Sequence, residues 1–277
     1  MKAKGNLAEL ERIATRLRLH VVEMVARTGQ GYVQQGLGAA DLFTALYFDE
    51  ARLDPGNPDW PERDRVILST AHNTALLYAT LSERGYFGTE RLETYSRDGS
   101  PLELNASERM GSCVEATCGS LGQGLSVGVG AAAALRRQGK DSRVYVILGD
   151  GELQEGQVWE AMMAAGGWKL DNLCLVIDLN NMQVEGDSDR VFSPEPLADK
   201  VRGFGFAVQE IDGNDMGALL NAFGTARGTK GKPGCIIART LIGKGVAHLE
   251  GLIGHMLRFP PEVAKEAIDV LKEKLAS

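Results

Sequence analysis

The chain has 277 residues, and 44% of them are hydrophobic, which is sufficient for the core of one large α/β domain or two small ones. Its formal net charge of −7 and the scattered distribution of Lys and Arg exclude partners that are bound through a basic surface, namely nucleic acid and anionic membranes. Charges interrupt every apolar stretch of residues 1–26, and the longest weakly polar run, 124–135, is far shorter than the roughly 20 residues that span a bilayer. These features predict a soluble protein without an export signal.

The four cysteines predict a reducing environment. Cys113, Cys118, Cys174 and Cys235 form no CxxC pair, and the last two lie in apolar runs that are typical of strands. This pattern indicates reduced thiols rather than a disulfide framework, and we therefore expect a cytoplasmic protein.

Helical and strand-like patterns alternate along the chain. Apolar residues from Leu7 to Met24 recur at helical spacing and predict an amphipathic first helix, and a second helix is predicted at 39–48, before a proline-rich connector at 54–64. Short apolar runs predict strands at 66–68, 144–148, 173–177, 206–208 and 235–238. Helices are predicted between them at 74–83, 122–137, 157–166, 196–201 and 216–226. Pro260 and Pro261 mark the start of a last helix.

Strands that are apolar on both faces and are separated by helices are typical of a parallel sheet that is covered on both sides. We therefore expect a single domain over residues 1–277, with three layers (α/β/α) and a mainly parallel sheet. Ligands of such sheets bind beyond the carboxyl ends of the strands. Polar residues that follow the strands are consequently the first candidates for a functional site.

Two polar segments follow consecutive predicted strands. GDGELQEG begins at Gly149 and DLNNMQVEG begins at Asp178. Taken alone, the first is also typical of a turn between antiparallel strands, and the second of an Asx turn. The 30 residues from Asp150 to Asn180 correspond to about one β-α-β crossover, which makes the two strand ends neighbours. A carboxylate and an amide oxygen at that place suit Mg²⁺, which takes hard oxygen ligands and shares them with cofactor phosphates.

The two segments resemble the thiamine diphosphate motif, and the wider pattern resembles the N-terminal, diphosphate-binding half of the transketolase family. The blocks that carry the resemblance cover most of the chain in order: LGAADLFTALYF (37–48), DRVILSTAHNTALLYATL (64–81), VEATCGSLGQGLSVGVG (114–130), GDGELQEGQVWEA (149–161), DLNNMQVEG (178–186) and TLIGKGV (240–246). The resemblance implies a three-layer thiamine diphosphate-binding fold. A nucleotide-binding oxidoreductase is excluded, because the glycines of GSLGQG (119–124) are in the wrong order for the dinucleotide fingerprint.

The resemblance implies roles for the residues at the ends of the second and third strands. Asp150 and Asn180 would bind Mg²⁺ together with the main-chain carbonyl of Met182, and Gly151 would lie against the diphosphate of the cofactor. Glu155 matches an acidic residue that lies between the two active sites of the dimer in this family. We therefore expect a catalytic role for Glu155.

A loop and two histidines are also implied as cofactor contacts. Gly119, Ser120 and Leu121 match a stretch that contacts thiamine diphosphate, and N–H groups at the start of the helix that follows suit anionic or polar atoms. His72 matches a histidine on the cofactor side, and His255 matches a late histidine near diphosphate and substrate. Each histidine alone would be interpreted as an ordinary hydrogen-bonded imidazole. By the resemblance, we expect both to bind the cofactor and to take part in catalysis.

The resemblance also implies a partner. In this family the glutamate that activates the cofactor belongs to a pyrimidine-binding domain, and the 277 residues contain no such second unit. We therefore expect a second polypeptide that carries this domain, an α₂β₂ assembly, and transketolase-like transferase activity only in that assembly. The alternative is a degenerate binding or regulatory protein without catalysis of its own. The presence of Asp150, Glu155 and Asn180 favours the enzyme.

Three departures from the family's pattern bear on the substrate. Gly31 and Tyr32 stand where ketose-handling members have a Gly-His pair, Asn105 stands near the place of a second histidine, and the usual GHGS is AHNT at 71–74. Imidazoles that would bind or protonate sugar oxygens are thus partly replaced. We expect transfer of a two-carbon ketol or a related acyl-anion unit from a small ketose or α-keto acid, and not a standard pentose phosphate role.

Overall fold

The computed structural model describes residues 6–252 and 259–276. Its helices are α1 (Leu7–Thr28), α2 (Val33–Thr44), α3 (Thr74–Arg84), α4 (Gln123–Arg137), α5 (Gly156–Gly167), α6 (Ser188–Phe192), α7 (Leu197–Gly203), α8 (Met216–Gly228) and α9 (Pro261–Ala276). Its strands are β1 (Arg65–Leu68), β2 (Val144–Gly149), β3 (Leu173–Leu179), β4 (Met182–Gln183), β5 (Gly186–Asp187), β6 (Ala207–Asp212) and β7 (Gly234–Arg239).

The first helix buries the face that its apolar spacing predicts. Leu10 and Leu17 are at most 1% exposed. The side-chain oxygen of Asn6 accepts a hydrogen bond from the N–H of Ala8 and caps the N-terminus, while Gly29 ends the helix in the left-handed conformation at φ 63°. The helix packs against α2, α3 and α9, so these elements form one layer.

Five strands form the main sheet in the order β1-β2-β3-β7-β6, and every neighbouring pair is parallel. Each strand predicted from a short apolar run is present in this sheet. The expectation of a mainly parallel sheet is confirmed. Parallel pairing aligns the carboxyl ends of β2 and β3 at one edge of the sheet.

Both faces of the sheet are covered. In β2, Tyr145 and Ile147 belong to the core that contains α1, α2, α3, α8 and α9, whereas Val144, Val146 and Leu148 belong to a second core with α4, α5 and α7. All six residues of β2 are buried, and the strand therefore lacks the alternation of a half-exposed strand. This arrangement confirms the three-layer α/β/α class.

Several local features differ from the predicted elements. Helix α2 begins at Val33 instead of residue 39 and is followed by a π-helix over Ala45–Glu50, and the short helix α6 has no counterpart among the predicted helices. A two-stranded hairpin, β4-β5, follows β3, and each of its strands is too short to give a periodic pattern. Strand β6 ends at Asp212, four residues beyond the predicted 206–208. It is an edge strand, and its exposed residues Glu210 and Asp212 interrupt the apolar run from which the strand was predicted.

Among the helices of the described ranges, none is both long and apolar enough to cross a membrane. The extent of the predicted single domain, 1–277, stays a prediction.

Candidate active site

Two buried carboxylates lie where β2 and β3 end. Asp150 follows β2 directly and is 2% exposed, while Asp178 is in β3 and is fully buried. Gly149 pairs with Asp178 in the parallel register, and the N–H of Asp150 donates to the carbonyl oxygen of Asp178 over 3.2 Å. The two strand ends predicted to be neighbours are therefore adjacent.

Hydrogen bonds orient the Asp150 side chain. Its Oδ1 accepts the N–H of Gly151 over 3.0 Å, and its Oδ2 accepts the Ser188 hydroxyl over 3.0 Å. Burial, and then the neighbouring Asp178 carboxylate, raise the pKa of Asp150 from 3.8 to about 7, although the bonds from Ser188, Gly151 and Asn181 act in the opposite direction. The ionised form of this carboxylate is thus stabilised by anything positive that binds beside it.

Asp178 is the residue of this pair that the sequence did not single out. Burial raises its pKa to about 6, while side-chain hydrogen bonds from Thr240, Asn180 and Asn73 lower it in part. Among the causes of the shifts of both aspartates, no described Lys, Arg or His contributes. The signal available in the sequence was the position of Asp178 at the start of DLNN, one strand away from GDG.

The segment after β3 forms a tight turn. The side-chain oxygen of Asn180 accepts the N–H of Met182 over 3.0 Å, and its amide nitrogen donates to Asp178 Oδ2 over 3.3 Å. The backbone of Asn181 is left-handed, at φ 59°. The Asx-turn interpretation of DLNN therefore describes the backbone correctly, and it leaves the second lone pair of the Asn180 oxygen open to a metal.

Gly151 lies close to the backbone of this turn. A Cβ atom built on Gly151 would be 3.9 Å from the carbonyl oxygen of Met182 and 3.3 Å from Cβ of Gln183. The structure thus brings Asp150, Asn180 and the Met182 carbonyl to one place at the carboxyl edge, as the sequence predicted.

The chemistry of this donor set fits Mg²⁺. A carboxylate, an amide oxygen and a main-chain carbonyl are hard oxygen ligands, and Mg²⁺ typically uses one or two carboxylates and completes its coordination with water and phosphate oxygens. A divalent cation would also supply the positive charge that the two buried aspartates lack among described side chains. Within residues 6–252 and 259–276, no group of three or more His, Cys, Asp and Glu side chains could hold a metal. The donor set at this edge is of a different kind, because it has one such side chain, one amide and one main-chain carbonyl. The role of these three residues as ligands stays a prediction.

A cleft of about 280 Å³ opens beside the carboxylates. Five of the predicted cofactor contacts line it, namely His72, Gly119, Leu121, Gly151 and Met182. The other lining residues are Tyr32, Ala71, Asn105, Glu152, Gln154, Glu155, Gln183 and Val184. Residues from several separate segments of the chain therefore meet at one concave surface, which is the usual form of a cofactor site.

The predicted loop forms one wall of this cleft. Gly119, Ser120 and Leu121 are exposed, and Gly122 has φ 79° and precedes the first residue of α4. Glu155 is the exposed N-cap residue of α5 on the same cleft, so its carboxylate lies at the positive end of the helix dipole.

Two positions that depart from the family's pattern, Tyr32 and Asn105, meet the same cleft as His72, which matches the pattern. The rings of Tyr32 and His72 are 5.9 Å apart, and His72 Cε1 is 3.3 Å from a Cβ built on Gly149. The amide nitrogen of Asn105 lies 3.9 Å from a Cβ built on Gly119. Tyr32 and Asn105 therefore line the cavity in which the family's pattern would place imidazoles. His255 lies outside the described residues.

A fourth carboxylate, Glu152, is buried at this place and was not singled out from the sequence. It is 1% exposed, and its pKa is raised by burial, although hydrogen bonds from Gly149, Ser69 and Gly122 act against the rise. Glu152 lies two residues after Asp150, but the sequence pattern does not reveal whether its side chain points into the protein or into solvent. It could therefore not be selected as a site residue from the sequence.

A parallel three-layer fold with an oxygen-rich cleft at its carboxyl edge defines a cofactor-binding α/β domain. The family is given by a sequence model described as the transketolase, thiamine diphosphate binding domain, which matches residues 10–256. The chain belongs to the transketolase family and corresponds to its thiamine diphosphate-binding domain, as the resemblance of the motifs predicted.

Relatives of the same length support this assignment. The chain is 40% identical over 267 residues to the 6-deoxy-6-sulfo-D-fructose transketolase subunit SqwG of Clostridium sp. (strain MSTE9), covering 96% of this chain and 97% of that protein. It is 36% identical to one of the apulose-4-phosphate transketolase subunits of Phocaeicola vulgatus, covering 96% of this chain and 95% of that protein.

Solved structures show the same fold in longer chains. Transketolase from Campylobacter jejuni matches with a TM-score of 0.90 and 33% identity, covering 98% of this chain and 43% of that one. Transketolase from Leishmania mexicana matches with a TM-score of 0.87 and 30% identity, covering 99% and 42%. The chain thus spans less than half the length of these transketolases.

Proposed function

We propose that this chain is the diphosphate-binding subunit of a two-component, thiamine diphosphate- and Mg²⁺-dependent transketolase-like enzyme. The observation that carries the proposal is the convergence of Asp150, Asn180 and the Met182 carbonyl at the adjacent ends of β2 and β3, inside a chain of the transketolase family. Gly151 and Met182 also line the cleft, so a metal held by these donors would lie where a diphosphate is able to enter.

The residues of this site would each contact a different part of the cofactor or its metal. Asp150, Asn180 and the carbonyl of Met182 would ligate Mg²⁺, and the metal would neutralise the charge of the diphosphate. Gly151 has no side chain, so the diphosphate is able to approach the backbone next to Asp150. The loop at Gly119 to Leu121 would cover the cofactor from the opposite wall of the cleft.

When bound, thiamine diphosphate supplies a nucleophilic carbon that adds to a ketone and carries an acyl-anion equivalent. The part of this chain is to bind and orient the substrate beside that carbon. His72 and the Tyr32 ring lie together on one side of the cleft, where an imidazole and a phenol are able to donate hydrogen bonds to substrate oxygens. We further propose that His255 completes the substrate side, and that Glu155 acts between the two active sites of the assembly.

A second chain would supply what remains of the site. The described residues of this chain form the diphosphate half, and the transketolases that it matches in structure are more than twice as long. Two relatives that this chain matches over nearly their whole length are named as subunits. We propose that a partner carries the pyrimidine-binding domain with the activating glutamate, and that two copies of each chain form an α₂β₂ assembly, since closed symmetry buries the open faces of both.

The substrate would be a small ketose or α-keto acid from which a two-carbon ketol or related acyl-anion unit is transferred. The names of the two relatives refer to 6-deoxy-6-sulfo-D-fructose and to apulose 4-phosphate, both of which are ketose derivatives. In this chain Tyr32 and Asn105 face the cavity in place of imidazoles, and their hydroxyl and amide groups would bind different sugar oxygens.

The test is purification of the tagged chain from native cells, followed by an assay of the assembly and of the chain alone. Ketose and α-keto acid donors are supplied with Mg²⁺ and thiamine diphosphate. We expect donor turnover by the assembly and none by the isolated chain. Turnover by the isolated chain would refute the two-component arrangement. An assembly that turns over no donor would favour a degenerate binding or regulatory protein, with the replaced histidines as the reason.

A further inference from the structure

Glu152 joins three segments of the chain that are distant in sequence. Its Oε1 accepts hydrogen bonds from the Ser69 hydroxyl over 2.6 Å and from the N–H of Gly122 over 2.8 Å. Its Oε2 accepts the N–H of Gly149 over 2.9 Å. A buried carboxylate is therefore satisfied by three donors, two of which are backbone N–H groups that can only donate.

Each donor comes from the end of a different element. Ser69 follows β1, Gly149 is the last residue of β2, and Gly122 is the N-cap residue of α4. The bonds bridge 83, 3 and 30 residues of sequence respectively. Glu152 consequently ties the loop before α4 to the edge of the sheet that carries Asp150.

The loop has little else to hold it in place. Gly119, Ser120 and Leu121 are exposed, and the nearest side chain to a Cβ built on Gly119 is that of Asn105, at 3.9 Å. The carbonyl of Ser120 accepts the N–H of Gln123 over 3.3 Å, and the carbonyl of Leu121 accepts the side-chain amide of Gln157 over 2.9 Å, both at the exposed side of the loop. The buried anchor of this wall of the cleft is thus the bond from Gly122 to Glu152.

The packing around Gly122 shows that its position is narrowly defined. Gly122 has φ 79°, and a Cβ atom there would lie 2.9 Å from a methyl group of Val158 and 3.0 Å from Cβ of Glu155. The backbone N–H is therefore presented to Glu152 in a conformation that favours glycine. A small displacement of Gly122 would move the whole wall, since Leu121 precedes it directly.

We propose that Glu152 is a positioning residue for the cofactor: its carboxylate anchors Gly122 and so holds the loop at Gly119 to Leu121 in the conformation that contacts thiamine diphosphate. The proposal rests on the function proposed above, and it adds a residue that acts through the loop without itself ligating the metal. Glu152 borders the cleft, but it is 1% exposed and both of its carboxylate oxygens accept hydrogen bonds from the protein, so its contribution is to hold the backbone.

The substitution Glu152→Gln removes one of the two acceptor oxygens and keeps the size of the side chain. The amide carries one oxygen and one NH₂ group, so at least one of the two backbone N–H groups, Gly122 or Gly149, would face a donor in place of an acceptor. Ser69→Ala is a milder change, because it removes the hydroxyl and leaves both backbone bonds intact. Since the Ser69 hydroxyl orients the same oxygen that accepts from Gly122, a smaller effect of Ser69→Ala on the loop tests the proposal even if Glu152→Gln fails to fold.

Asp64 provides the matched control. It is also a fully buried carboxylate, and it accepts hydrogen bonds from the N–H groups of Arg52 and Arg143. It precedes β1 and therefore lies at the amino edge of the sheet, opposite the cleft. Because Arg52 and Arg227 also pair with Asp64, Asp64→Asn reports the cost of losing a buried carboxylate anchor together with its ion pairs, without moving the loop before α4.

The first measurement is amide hydrogen exchange of the isolated full chain without cofactor. We expect Glu152→Gln to speed exchange at residues 119–124 by about tenfold, which is the effect of removing one buried hydrogen bond, and Ser69→Ala to speed it less. Asp64→Asn should leave that segment unchanged. Equal exchange at 119–124 in wild type and in Glu152→Ala, which leaves neither backbone N–H group an acceptor, would overturn the anchoring role, whatever the protein's function.

The second measurement is the affinity of the native assembly for thiamine diphosphate at saturating Mg²⁺, by calorimetry, together with KM for the cofactor and kcat. We expect Glu152→Gln to raise Kd and KM about tenfold and to leave kcat at saturating cofactor nearly unchanged, while Asp64→Asn changes neither. If wild type binds thiamine diphosphate and Glu152→Gln binds it with the same affinity, the positioning role of Glu152 is refuted and the proposed function is not. A wild-type assembly that binds no thiamine diphosphate would refute the proposed function and this inference with it.

Discussion

Asp150→Asn should stabilise the cofactor-free chain while it removes cofactor binding. Above pH 7, a pKa of about 7 instead of 3.8 means that ionising Asp150 costs the folded chain about 4 kcal/mol more than it costs the unfolded chain. Burial causes most of this cost, and the carboxylate of Asp178 adds to it. An asparagine is neutral, and it is able to accept from Gly151 and to donate to the Ser188 hydroxyl. About half of the cost should therefore be recovered, which is about 2 kcal/mol and a Tm higher by about 5 °C.

The stability gained by Asp150→Asn relative to wild type should depend on pH. Because the folded-state pKa is raised above the unfolded value, the folded chain binds more protons between about pH 4 and pH 7, and its stability falls as pH rises through that window. Asp150→Asn lacks this proton. The difference in Tm between variant and wild type should thus be less than half as large at pH 5 as at pH 8, where it reaches its full value.

The assay is thermal unfolding of the full chain in EDTA at both pH values, repeated with Mg²⁺ and thiamine diphosphate on the assembly. Wild type should gain stability from the cofactor and Asp150→Asn should not, since the diphosphate would lose a metal ligand. A variant that is less stable than wild type by the same amount at pH 5 and pH 8 would refute the electrostatic reasoning. A normal gain from Mg²⁺ and cofactor in the variant would remove Asp150 from the metal site.

Three further predictions concern other parts of the molecule. The isolated chain should bind Mg²⁺ and thiamine diphosphate at least tenfold more weakly than the native assembly by calorimetry, because part of the contacts would come from the partner; tight binding without a partner would contradict the split site. Glu83→Gln should lower stability by about 1 kcal/mol at pH 7. The reason is that the hydrogen bond from His20 and the Arg16 guanidinium lower the pKa of Glu83 in the folded chain. The carboxylate therefore stabilises the fold above the unfolded-state pKa, and this stabilisation is lost as pH falls through the folded-state pKa. Denaturant titrations at pH 7 and pH 3 should show this difference shrinking, and a constant difference would exclude the charge as its cause. Gly166→Ala should destabilise by about 3 kcal/mol or more, since its Cβ would lie 1.7 Å from the carbonyl oxygen of Phe204, whereas Gly167→Ala, with nothing within 4 Å, should be neutral or slightly stabilising in the same titration.

Local patterns in the sequence were sufficient for the elements and the fold class. The apolar runs at β2 and β3 are long enough to be recognised as buried strands, and the helices between them repeat at helical spacing. The alternation of strand and helix then restricts the sheet to parallel pairing. The motifs GDG and DLNN indicated which edge of the sheet carries the site, because ligands of parallel sheets bind at the carboxyl ends.

Contacts between distant segments could not be predicted in this way. Asp178 is a buried neighbour of Asp150 only because β2 and β3 pair in one register, and a register is a property of two strands together. The resemblance implied that Tyr32 and Asn105 stand on the substrate side, but their meeting with His72 in one cleft depends on the packing of segments that are distant in sequence.

Apolar patterns were enough to predict the three-layer parallel fold, the ordered motifs were enough to indicate the family, and the spacing of GDG and DLNN predicted that Asp150 and Asn180 lie at one edge of the sheet. The roles of these residues and of Met182 as metal ligands stay predictions. The inward direction of Glu152, which accepts from Ser69, Gly122 and Gly149, became visible in the folded chain. The physical reason is that a glutamate after a strand has the same local pattern whether it is solvated or buried, and its direction depends on which donors the fold brings to it.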